Sequence, residues 1–352
     1  MYSEKLLRWY SECGRSLPWR GTDNPYFIWL SEIILQQTRI EQGRGYYDRF
    51  TQEYPTVRHL AAATEEQVLK SWQGLGYYSR ARNLHKAAQK VAFELGGQFP
   101  CSYEDILALP GVGRYTAAAI ASFAYRLPHP VIDGNVYRVI ARQYGIYTPI
   151  GTDAAYKEFE ELLSHLIDRR RPDLFNQAVM DFGSIYCKPA NPDCHNCIFR
   201  QECVAFREGK VEQLPVRMKR TEVKKRYFYY FDIRWQKEGQ EYVWVHRRGE
   251  GDVWQGLYDF PLMETESPVA ASRKSKRFAA QLQEWTGRTA DKVELGPTLQ
   301  HQLTHRTIVA QFIRVVYAEE PVQTPPQFKV IEAEKLKSLP VSRLMDRYLR
   351  GL

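Results

Sequence analysis

The chain contains 352 residues, of which 44% are hydrophobic, and carries a formal net charge of +8. That length exceeds what one hydrophobic core usually holds, so it predicts two domains. The hydrophobic fraction is typical of a globular protein, and no segment is long and apolar enough to span a membrane, which excludes an integral membrane protein. The basic balance favours a polyanionic partner, of which nucleic acid is the commonest.

The first residues predict the start of a helix. They lack the apolar core and the cleavage site of a signal peptide. We therefore expect an intracellular, cytoplasmic protein with no membrane partner.

The N-terminal half is predicted to be helical. Periodic apolar or alanine-rich stretches recur there, and short breaks with Gly or Pro separate them. The predicted helices cover residues 27–38, 65–72, 81–95, 115–125, 154–167 and 175–186. This pattern favours an all-helical domain over alternating strands and helices.

The first of these helices carries one carboxylate, Glu32, in an apolar sequence. Helical spacing places Ile28, Ile33 and Leu35 near it. Apolar surroundings raise the pKa of a carboxyl group and keep it protonated near neutral pH, as a general acid requires. The alternative is a glutamate that points to solvent.

A glycine-rich turn follows at Leu109-Pro-Gly111-Val-Gly113-Arg-Tyr115. Glycines permit a tight turn, and the free N–H groups of the helix that starts there can point at a phosphate. Such contacts set the register of a nucleic acid and carry no sequence information. Asp133 lies 20 residues after Gly113. A plain turn between helices, followed by an ordinary turn aspartate, is the alternative.

Four cysteines lie within 17 residues, with the spacing Cys187-x6-Cys194-x2-Cys197-x5-Cys203. In a reducing compartment such a cluster indicates a metal site and not disulfides. Structural zinc sites usually pair cysteines in two short knuckles, whereas here only one pair is closely spaced. Thiolate-rich sites also hold iron–sulfur clusters, and four free buried thiols are the remaining alternative. The isolated Cys13 and Cys101 are expected to be small buried hydrophobic residues.

The residue composition of the sequence changes after residue 207. Residues 208–225 are polar and basic and predict a linker, which either lies on DNA or is solvated. Aromatic and β-branched segments then predict strands, with one helix among them. These strands cover residues 227–235, 242–248, 299–303 and 307–317, and the helix covers 276–285. We expect a mainly α domain at 1–207 and a smaller α+β domain at 226–352.

The segments of the N-terminal half together resemble the helix–hairpin–helix DNA glycosylase superfamily. Ser31-Glu-Ile-Ile-Leu-Gln-Gln37-Thr38 is similar to the motif of its MutY family of adenine glycosylases. The resemblance implies that Asp133 faces the anomeric carbon of a flipped nucleotide and that Glu32 protonates adenine at N7. Tyr115 and Asn135 would orient and support Asp133.

The residue at position 115 narrows the implied reaction. Bifunctional relatives such as endonuclease III have a lysine there, which acts as the nucleophile for a Schiff base. This chain has Tyr115. The resemblance therefore implies a monofunctional glycosylase, which hydrolyses the N-glycosidic bond and leaves an abasic site.

The resemblance also implies a cofactor and a set of DNA contacts. The cysteine spacing matches the 4Fe–4S loop of endonuclease III and MutY proteins, so the four clustered cysteines would hold such a cluster. Gln37 and Tyr77 would fill or wedge the space that the flipped adenine leaves, although Tyr77 could instead be a core aromatic. The implied DNA-binding residues are Trp19, Arg20, Gln37, Thr38, Tyr77, Gly111 and Gly113.

The C-terminal half resembles the Nudix-like module that MutY enzymes use to read 8-oxoguanine. Trp254-Gln-Gly-Leu-Tyr-Asp-Phe-Pro matches the Trp-x-Gly-Leu-x-x-Phe-Pro signature. The Arg-Glu-x-x-Glu-Glu helix that holds magnesium in Nudix hydrolases is missing from the sequence, so we expect no pyrophosphatase activity. Thr304 and His305 align with the lesion-reading loop, where Leu303 replaces the usual phenylalanine. Thr304 could also be an ordinary strand residue.

The implied function is base excision repair. The substrate would be duplex DNA with adenine opposite 8-oxoguanine or guanine, and the enzyme would act as a monomer. An endonuclease III type of enzyme, acting on oxidised pyrimidines, is one alternative, against which Tyr115 and the second domain argue. A non-catalytic DNA-binding protein with a structural cluster is another, but it would need no paired carboxylates.

Overall fold

The periodic stretches of the N-terminal half form helices in the computed structural model, which describes residues 2–218, 224–270, 272, 275–303 and 306–351. All six predicted helical stretches are confirmed. The helices of this half are α1 (Tyr2–Cys13), α2 (Pro25–Leu35), α3 (Ile40–Glu53), α4 (Val57–Ala62), α5 (Glu65–Ser71), α6 (Ser79–Gln89), α7 (Tyr103–Leu107), α8 (Arg114–Tyr125), α9 (Gly134–Tyr144), α10 (Asp153–Leu166), α11 (Pro172–Asp181) and α12 (Val204–Arg207). A 3₁₀ turn and two π-helical turns cover Pro18–Arg20, Lys90–Glu94 and Phe182–Tyr186.

The chain packs into two units. The first comprises Met1–Ala62 with Asn83–Arg220, and the second comprises Ala63–Arg82 with Thr221–Leu352. The second unit thus takes a segment from the N-terminal half. The domain boundaries expected from the sequence, 1–207, 208–225 and 226–352, stay a prediction.

Local sequence signals explain where the helices of the first unit begin. Pro25 occupies the first turn of α2, and the Asn24 side chain accepts a hydrogen bond from the backbone N–H of Tyr26. Thr152 caps α10 in the same way. These side chains satisfy N–H groups that a helix leaves without an internal partner. The predicted helix 27–38 ends early, at Leu35, because the backbone turns out of the helical conformation at the next residue.

The core of the first unit lies among its later helices. Large buried side chains meet there, including Trp9, Phe159, Phe175, Phe182 and Phe199. Helix α11 packs against α1, α8 and α9, and α2 packs against α3 and α8. This packing fixes α2, α8, α9 and α11 as a rigid frame.

The expected burial of Cys13 and Cys101 is wrong, since both are exposed. Cys13 is the last residue of α1, and Cys101 lies in the connection that precedes α7. Positions at helix ends and in connections face solvent more often than helix interiors do.

A mixed β-sheet forms the second unit. Its strands are β1 (Lys224–Lys237), β2 (Gln240–Arg247), β3 (Tyr258–Asp259), β4 (Leu262–Thr265), β5 (Lys292–Gln302), β6 (Arg306–Tyr317) and β7 (Phe328–Glu332). The order is β3-β2-β1-β6-β5, with β4 also paired to β1 and β7 to β2. Strands β1 and β6 are parallel and every other pairing is antiparallel. The predicted strands and helix of this half are confirmed.

Both faces of the central strand β1 are covered. On one face Phe231 packs against Phe278 and Trp285 of α13 (Lys276–Thr286). On the other face the hydroxyl of Tyr348, in α14 (Arg343–Leu349), donates to Asp232 at 3.0 Å. The middle of β1 is therefore buried without the in–out alternation of a half-exposed strand.

Among the described residues, none of the helices combines the length and the apolarity needed to cross a membrane.

Candidate active site

A pocket of about 280 Å³ opens in the first unit among α2, α8, α11 and the N-terminus of α9. Its volume is close to the lower end of the ~300–1,000 Å³ typical of small-ligand sites. Seven residues that the sequence singled out line it, and these are Trp19, Arg20, Glu32, Thr38, Tyr115, Asp133 and Asn135. The fold thus brings the two candidate carboxylates, which are about 100 residues apart in sequence, to one pocket.

Glu32 lies on the buried face of α2 and is 8% exposed. Burial raises the pKa of its carboxyl group to about 7, while Tyr115 and the charge of Arg20 act in the opposite direction. Asp133 adds a smaller contribution that raises the pKa further. Glu32 is therefore largely protonated below neutral pH and can donate a proton to a group in the pocket.

Asp133 caps helix α9. Its Oδ1 accepts from the backbone N–H groups of Asn135 and Val136 at 2.8 and 2.7 Å, and its Oδ2 accepts from the Asn135 side chain at 2.7 Å. Burial raises the pKa of Asp133, and these hydrogen bonds oppose that rise. They hold the carboxylate in one orientation and favour its ionised form.

Asn135 is itself held in place. Its Oδ1 accepts from the guanidinium of Arg138 at 2.9 Å. The same guanidinium donates to the carbonyl oxygens of Gly183, at 2.6 Å, and Cys187, at 2.8 Å. A continuous set of hydrogen bonds therefore connects Asp133 to the backbone of the first clustered cysteine.

Tyr115 stands on the first turn of α8 and faces the same pocket. Its hydroxyl hydrogen-bonds Sδ of Met180 at 3.9 Å. Burial, together with Glu32 and Asp133, raises the pKa of Tyr115 well above its usual value. The predicted support of Asp133 by Tyr115 stays a prediction.

A buried ion pair beside the pocket was not anticipated from the sequence. Arg20 makes a two-pronged contact with Asp181, at 2.7 and 2.8 Å, and Arg15 binds the same carboxylate. Asp181 is fully buried near the end of α11. A lone aspartate in the apolar sequence Ala178-Val-Met-Asp181-Phe was the signal that could have revealed it. The pair fixes the guanidinium of Arg20, whose charge acts on Glu32.

The two candidate wedge residues, Gln37 and Tyr77, share an unusual backbone conformation. Gln37 follows α2 with φ +56°, and Tyr77 precedes α6 with φ +48°. Both side chains are exposed, Tyr77 by 49%. Residues other than glycine rarely adopt positive φ, and strained positions concentrate at functional sites. Each belongs to a different unit.

The glycine-rich turn connects α7 to α8. Gly111 has φ +73°, and a Cβ built on it would lie 2.4 Å from Cβ of Asn83, so only glycine fits. Gly113 has φ −96°, and a Cβ there would meet nothing within 4 Å. The fold itself therefore requires Gly111 but not Gly113. Helix α8 begins directly after Gly113 and has no side-chain cap.

The four clustered cysteines line one small cavity, together with Arg142 and several aromatic side chains. A guanidinium nitrogen of the buried Arg142 donates to Sγ of Cys187 at 3.4 Å, and the backbone N–H of Phe199 donates to Sγ of Cys197 at 3.4 Å. Burial raises the pKa of Cys197 to about 11, and the neighbouring cysteines raise it further. In the part of the chain that the structure describes, no three His, Cys, Asp or Glu side chains are grouped so that they could hold a metal ion.

The predicted lesion-reading residues, Thr304 and His305, lie outside the described residues. In the sequence they fall between strands β5 and β6. Their role stays a prediction.

Two family models match the chain. Residues 30–165 match the HhH-GPD superfamily of base excision DNA repair proteins, and residues 233–351 match the NUDIX domain. Curated relatives match along most of their length. Adenine DNA glycosylases from two strains of Buchnera aphidicola are 33% and 30% identical over 271 and 321 residues, which cover 76% and 90% of this chain and 76% and 86% of theirs. This chain belongs to the adenine DNA glycosylase family.

Relatives of this family are also found outside bacteria. The human adenine DNA glycosylase is 41% identical over 218 residues, which cover 59% of this chain and 40% of the human protein. Among solved structures, a thermostable thymine-DNA glycosylase is 30% identical with a TM-score of 0.55, and the match covers 59% of this chain and 95% of that one. An endonuclease III–DNA complex, 22% identical with a TM-score of 0.52 and a match over 59% of this chain and 94% of that one, shows the same fold.

Family membership confirms the prediction of a DNA glycosylase with a helical helix–hairpin–helix domain followed by a smaller Nudix-like domain. It excludes the non-catalytic alternative, because the members are enzymes by name. The assignments of individual residues rest on the geometry of the pocket and are proposals.

Proposed function

We propose that this chain is a monofunctional glycosylase that removes adenine paired with 8-oxoguanine or guanine in duplex DNA and leaves an abasic site. One observation carries the proposal, namely that a buried acid with a pKa of about 7, Glu32, shares a pocket with the hydrogen-bonded carboxylate Asp133. Two carboxyl groups in different electrostatic environments are what hydrolysis of a glycosidic bond requires. The names of the curated relatives supply the base.

The reaction begins with extrusion of adenine from the duplex into the pocket. Protonated Glu32 then donates to N7 of the base, so that the C1′–N9 bond breaks with its electron pair leaving on a neutral adenine. Positive charge develops on the sugar, and the fixed carboxylate of Asp133 stabilises it. Water adds to C1′ and loses a proton, which completes the hydrolysis.

The residues that line the pocket support a monofunctional mechanism. A bifunctional enzyme attacks C1′ with an amine and forms a Schiff base. No lysine is among the lining residues that the structure describes, and Tyr115 lines the pocket where the resemblance places the lysine of bifunctional relatives. Base release and strand cleavage are therefore separate events in this proposal.

A single-turnover assay on duplexes with one central pair tests this function. Adenine would be placed opposite 8-oxoguanine, guanine or thymine, and thymine glycol opposite adenine. The proposal expects release of adenine opposite 8-oxoguanine and guanine, with strand cleavage only after alkali. Cleavage at thymine glycol without alkali would instead establish an endonuclease III type of activity.

The second part of the proposal is a 4Fe–4S cluster held by Cys187, Cys194, Cys197 and Cys203. Their side chains line one cavity together with several aromatic side chains, and Arg142 supplies a positive charge beside Sγ of Cys187. When bound, the cluster would fix the shape of a loop that a short peptide cannot hold alone. Iron and acid-labile sulfide analysis of the purified protein tests this assignment, and zinc in their place would overturn it.

The third part concerns the lesion opposite adenine and the state of the enzyme on DNA. We propose that the monomer binds duplex DNA and that Thr304 and His305 read 8-oxoguanine, as the sequence of the loop between β5 and β6 implies. The NUDIX family match over residues 233–351 supports a lesion-reading module in this place. Comparison of the excision rates opposite 8-oxoguanine and guanine for Thr304→Ala tests the assignment.

A further inference from the structure

A segment of the N-terminal half, Ala63–Arg82, packs with the C-terminal residues as one unit. It contains helix α5, the turn Gly74–Tyr78 and the candidate wedge residue Tyr77. No sequence pattern distinguishes this segment from the helices around it. Its contacts with the C-terminal residues therefore bear on how Tyr77 is held.

The turn next to Tyr77 is anchored to the last part of the chain. The hydroxyl of Tyr78 accepts from the backbone N–H of Gly74 at 3.3 Å and donates to the carbonyl of Val341 at 3.1 Å. The Gln73 side chain donates to Asp346 at 3.1 Å and accepts from the N–H of Val341 at 3.3 Å. The side chains of Gln73 and Tyr78, on either side of Gly74–Tyr77, are thus held by residues more than 260 positions away.

Further anchors hold helix α5 and the start of α6. The Lys70 ammonium donates to the carbonyls of Lys337 and Leu339 at 2.6 and 3.0 Å. The Arg82 guanidinium donates to the carbonyl of Gln255 at 2.7 Å, and the Tyr258 hydroxyl donates to Glu66 at 3.0 Å.

The Nudix signature itself lies against this segment. Gly256 has φ +83°, and a Cβ there would approach Cδ1 of Leu69 to 3.1 Å. Its lack of a side chain permits this close approach.

The turn also needs external support. Gly74, Gly76 and Tyr77 have φ values of +101°, +76° and +48°. A residue with a side chain keeps such a conformation only where its surroundings determine it. The Tyr77 ring is itself exposed, and the guanidinium of Arg80 lies 5.7 Å from its centre. The anchors fix the backbone on both sides of Tyr77 and leave the ring accessible.

We propose that the C-terminal residues position the wedge, with Tyr78 and Gln73 as positioning residues that transmit the contact with Val341 and Asp346 to Tyr77. The C-terminal half then has two roles, of which one is to read the base opposite adenine and the other is to hold Tyr77 ready to enter the duplex. This inference rests on the proposed function, because it takes Tyr77 as the wedge. It predicts that loss of an anchor impairs extrusion of the base and not its protonation.

The test is a double-mutant cycle in the full-length protein with Tyr77→Ala, Tyr78→Phe and the double variant. Extrusion is measured by the fluorescence of 2-aminopurine in place of adenine, and chemistry by single-turnover release. Tyr78→Phe should lower extrusion about three- to tenfold, and it should have no further effect once Tyr77 is alanine, since coupled residues are non-additive.

Tyr229→Phe is the matched control. Its buried hydroxyl also accepts from a backbone N–H and donates to a carbonyl, both of Val269, which lies outside the anchored segment. Asp346→Ala and Asp346→Asn form a second pair, because asparagine keeps an oxygen for Gln73 and should rescue extrusion. Thermal unfolding of every variant identifies any that does not fold. If one set of variants, at Tyr77 and Tyr78 or at Asp346, contains such a variant, the other set decides the outcome.

The outcomes separate the two proposals. If the wild-type chain releases adenine but Tyr78→Phe behaves as Tyr229→Phe does, or its effect multiplies with that of Tyr77→Ala, the positioning role is wrong and the proposed function stands. If the wild-type chain releases no adenine, the proposed function fails. If Tyr77→Ala leaves extrusion unchanged in an active enzyme, Tyr77 is no wedge and the inference is overturned.

Discussion

At the scale of single residues, the pocket separates two carboxyl groups by their surroundings. Burial raises the pKa of Glu32 to about 7 and favours its neutral form. Burial also raises the pKa of Asp133, but three hydrogen bonds at the start of a helix oppose that rise. Burial thus favours Glu32 as the acid, and the hydrogen bonds favour Asp133 as the anion that meets the cationic sugar.

The first prediction concerns pH. Because Glu32 must be protonated and its pKa is about 7, the rate of base release should fall as the pH rises through about 7. Glu32→Gln should lower the single-turnover rate by about 10²–10⁴ and leave DNA binding intact. A release rate that shows no decline between pH 6 and pH 8, or a Glu32→Gln variant at full rate, would assign the acid elsewhere.

The same shift has a consequence for stability. A carboxyl group whose pKa is raised by folding contributes stability below its unfolded pKa, and this contribution is lost as the pH rises through the folded value. The pKa of Glu32 rises from 4.5 to about 7. Glu32→Gln should therefore be more stable than the wild type above pH 7, by about 3 kcal/mol, and the advantage should shrink towards pH 4. Urea unfolding at several pH values measures the difference.

Asp133 gives a prediction that separates capping from chemistry. Asparagine caps helices as well as aspartate does, although it cannot accept both the backbone N–H groups and the Asn135 side chain, so Asp133→Asn should lose less stability than Asp133→Ala, which should lose about 1 kcal/mol. Both should lose base release by about 10²–10³ or more, because neither has a charge to stabilise the sugar cation. Thermal unfolding and single-turnover assays distinguish the two effects. Full base release by the Asp133→Asn variant would show that the reaction does not use the charge of Asp133.

How much of the site could be predicted differs from residue to residue. Glu32 and Asp133 were predicted because each lies in a motif with a distinctive sequence, and the structure brings both to the same pocket. Asp181 was not, since its partners Arg15 and Arg20 lie more than 160 residues away. The meeting of Tyr115 and Glu32 in one pocket depends on the packing of α8 against α2, which no local pattern reports.

At the scale of elements, the ends of helices carry the functional groups. Helix α2 ends at Leu35, two residues before Gln37. Helix α8 begins after Gly113 without a side-chain cap, and Asp133 caps the start of α9. Periodicity predicted α2, α8, α10 and α11 of this unit, whereas α3 and α9 were not among the predicted helices. The early end of α2 was not predicted, because apolar and polar residues continue in a helical pattern through residue 38 while the backbone departs from it.

The two glycines of the turn before α8 should respond differently to substitution. Gly111→Ala should destabilise the protein by about 1–3 kcal/mol, because its positive φ and its contact with Asn83 exclude a side chain. Gly113→Ala should leave stability unchanged. If the N-terminus of α8 approaches a phosphate, Gly113→Ala should nevertheless weaken DNA binding. Thermal unfolding and a binding titration decide, and equal losses of stability would contradict the distinction.

At the scale of the whole molecule, the second unit combines the C-terminal strands with a segment from the first hundred residues. The strands and α13 were predicted from their composition, and the NUDIX match agrees with them. The membership of Ala63–Arg82 could not be predicted, because a short amphipathic helix does not reveal which core it covers. Deleting the residues after 225 would remove Gln255, Tyr258, Lys337, Leu339, Val341 and Asp346, which hydrogen-bond this segment, so such a truncation tests lesion reading and wedge positioning together.

Point variants in the full chain separate these roles. Thr304→Ala should reduce the preference for adenine opposite 8-oxoguanine over guanine and leave the rate opposite guanine unchanged. Tyr78→Phe should lower both rates by a similar factor and leave the preference unchanged. Single-turnover rates on the two duplexes give both quantities. If Thr304→Ala lowered both rates equally, a lesion-reading role for this residue would be contradicted.

The contact between Tyr78 and Val341 joins residues 263 positions apart. A ribosome adds about 5–20 residues each second, so the early segment waits roughly 13–50 s before its partner has even been synthesised. During that time the buried hydroxyl of Tyr78 lacks the carbonyl that accepts its hydrogen bond in the folded protein. The second unit can therefore be completed only after Val341 has been synthesised.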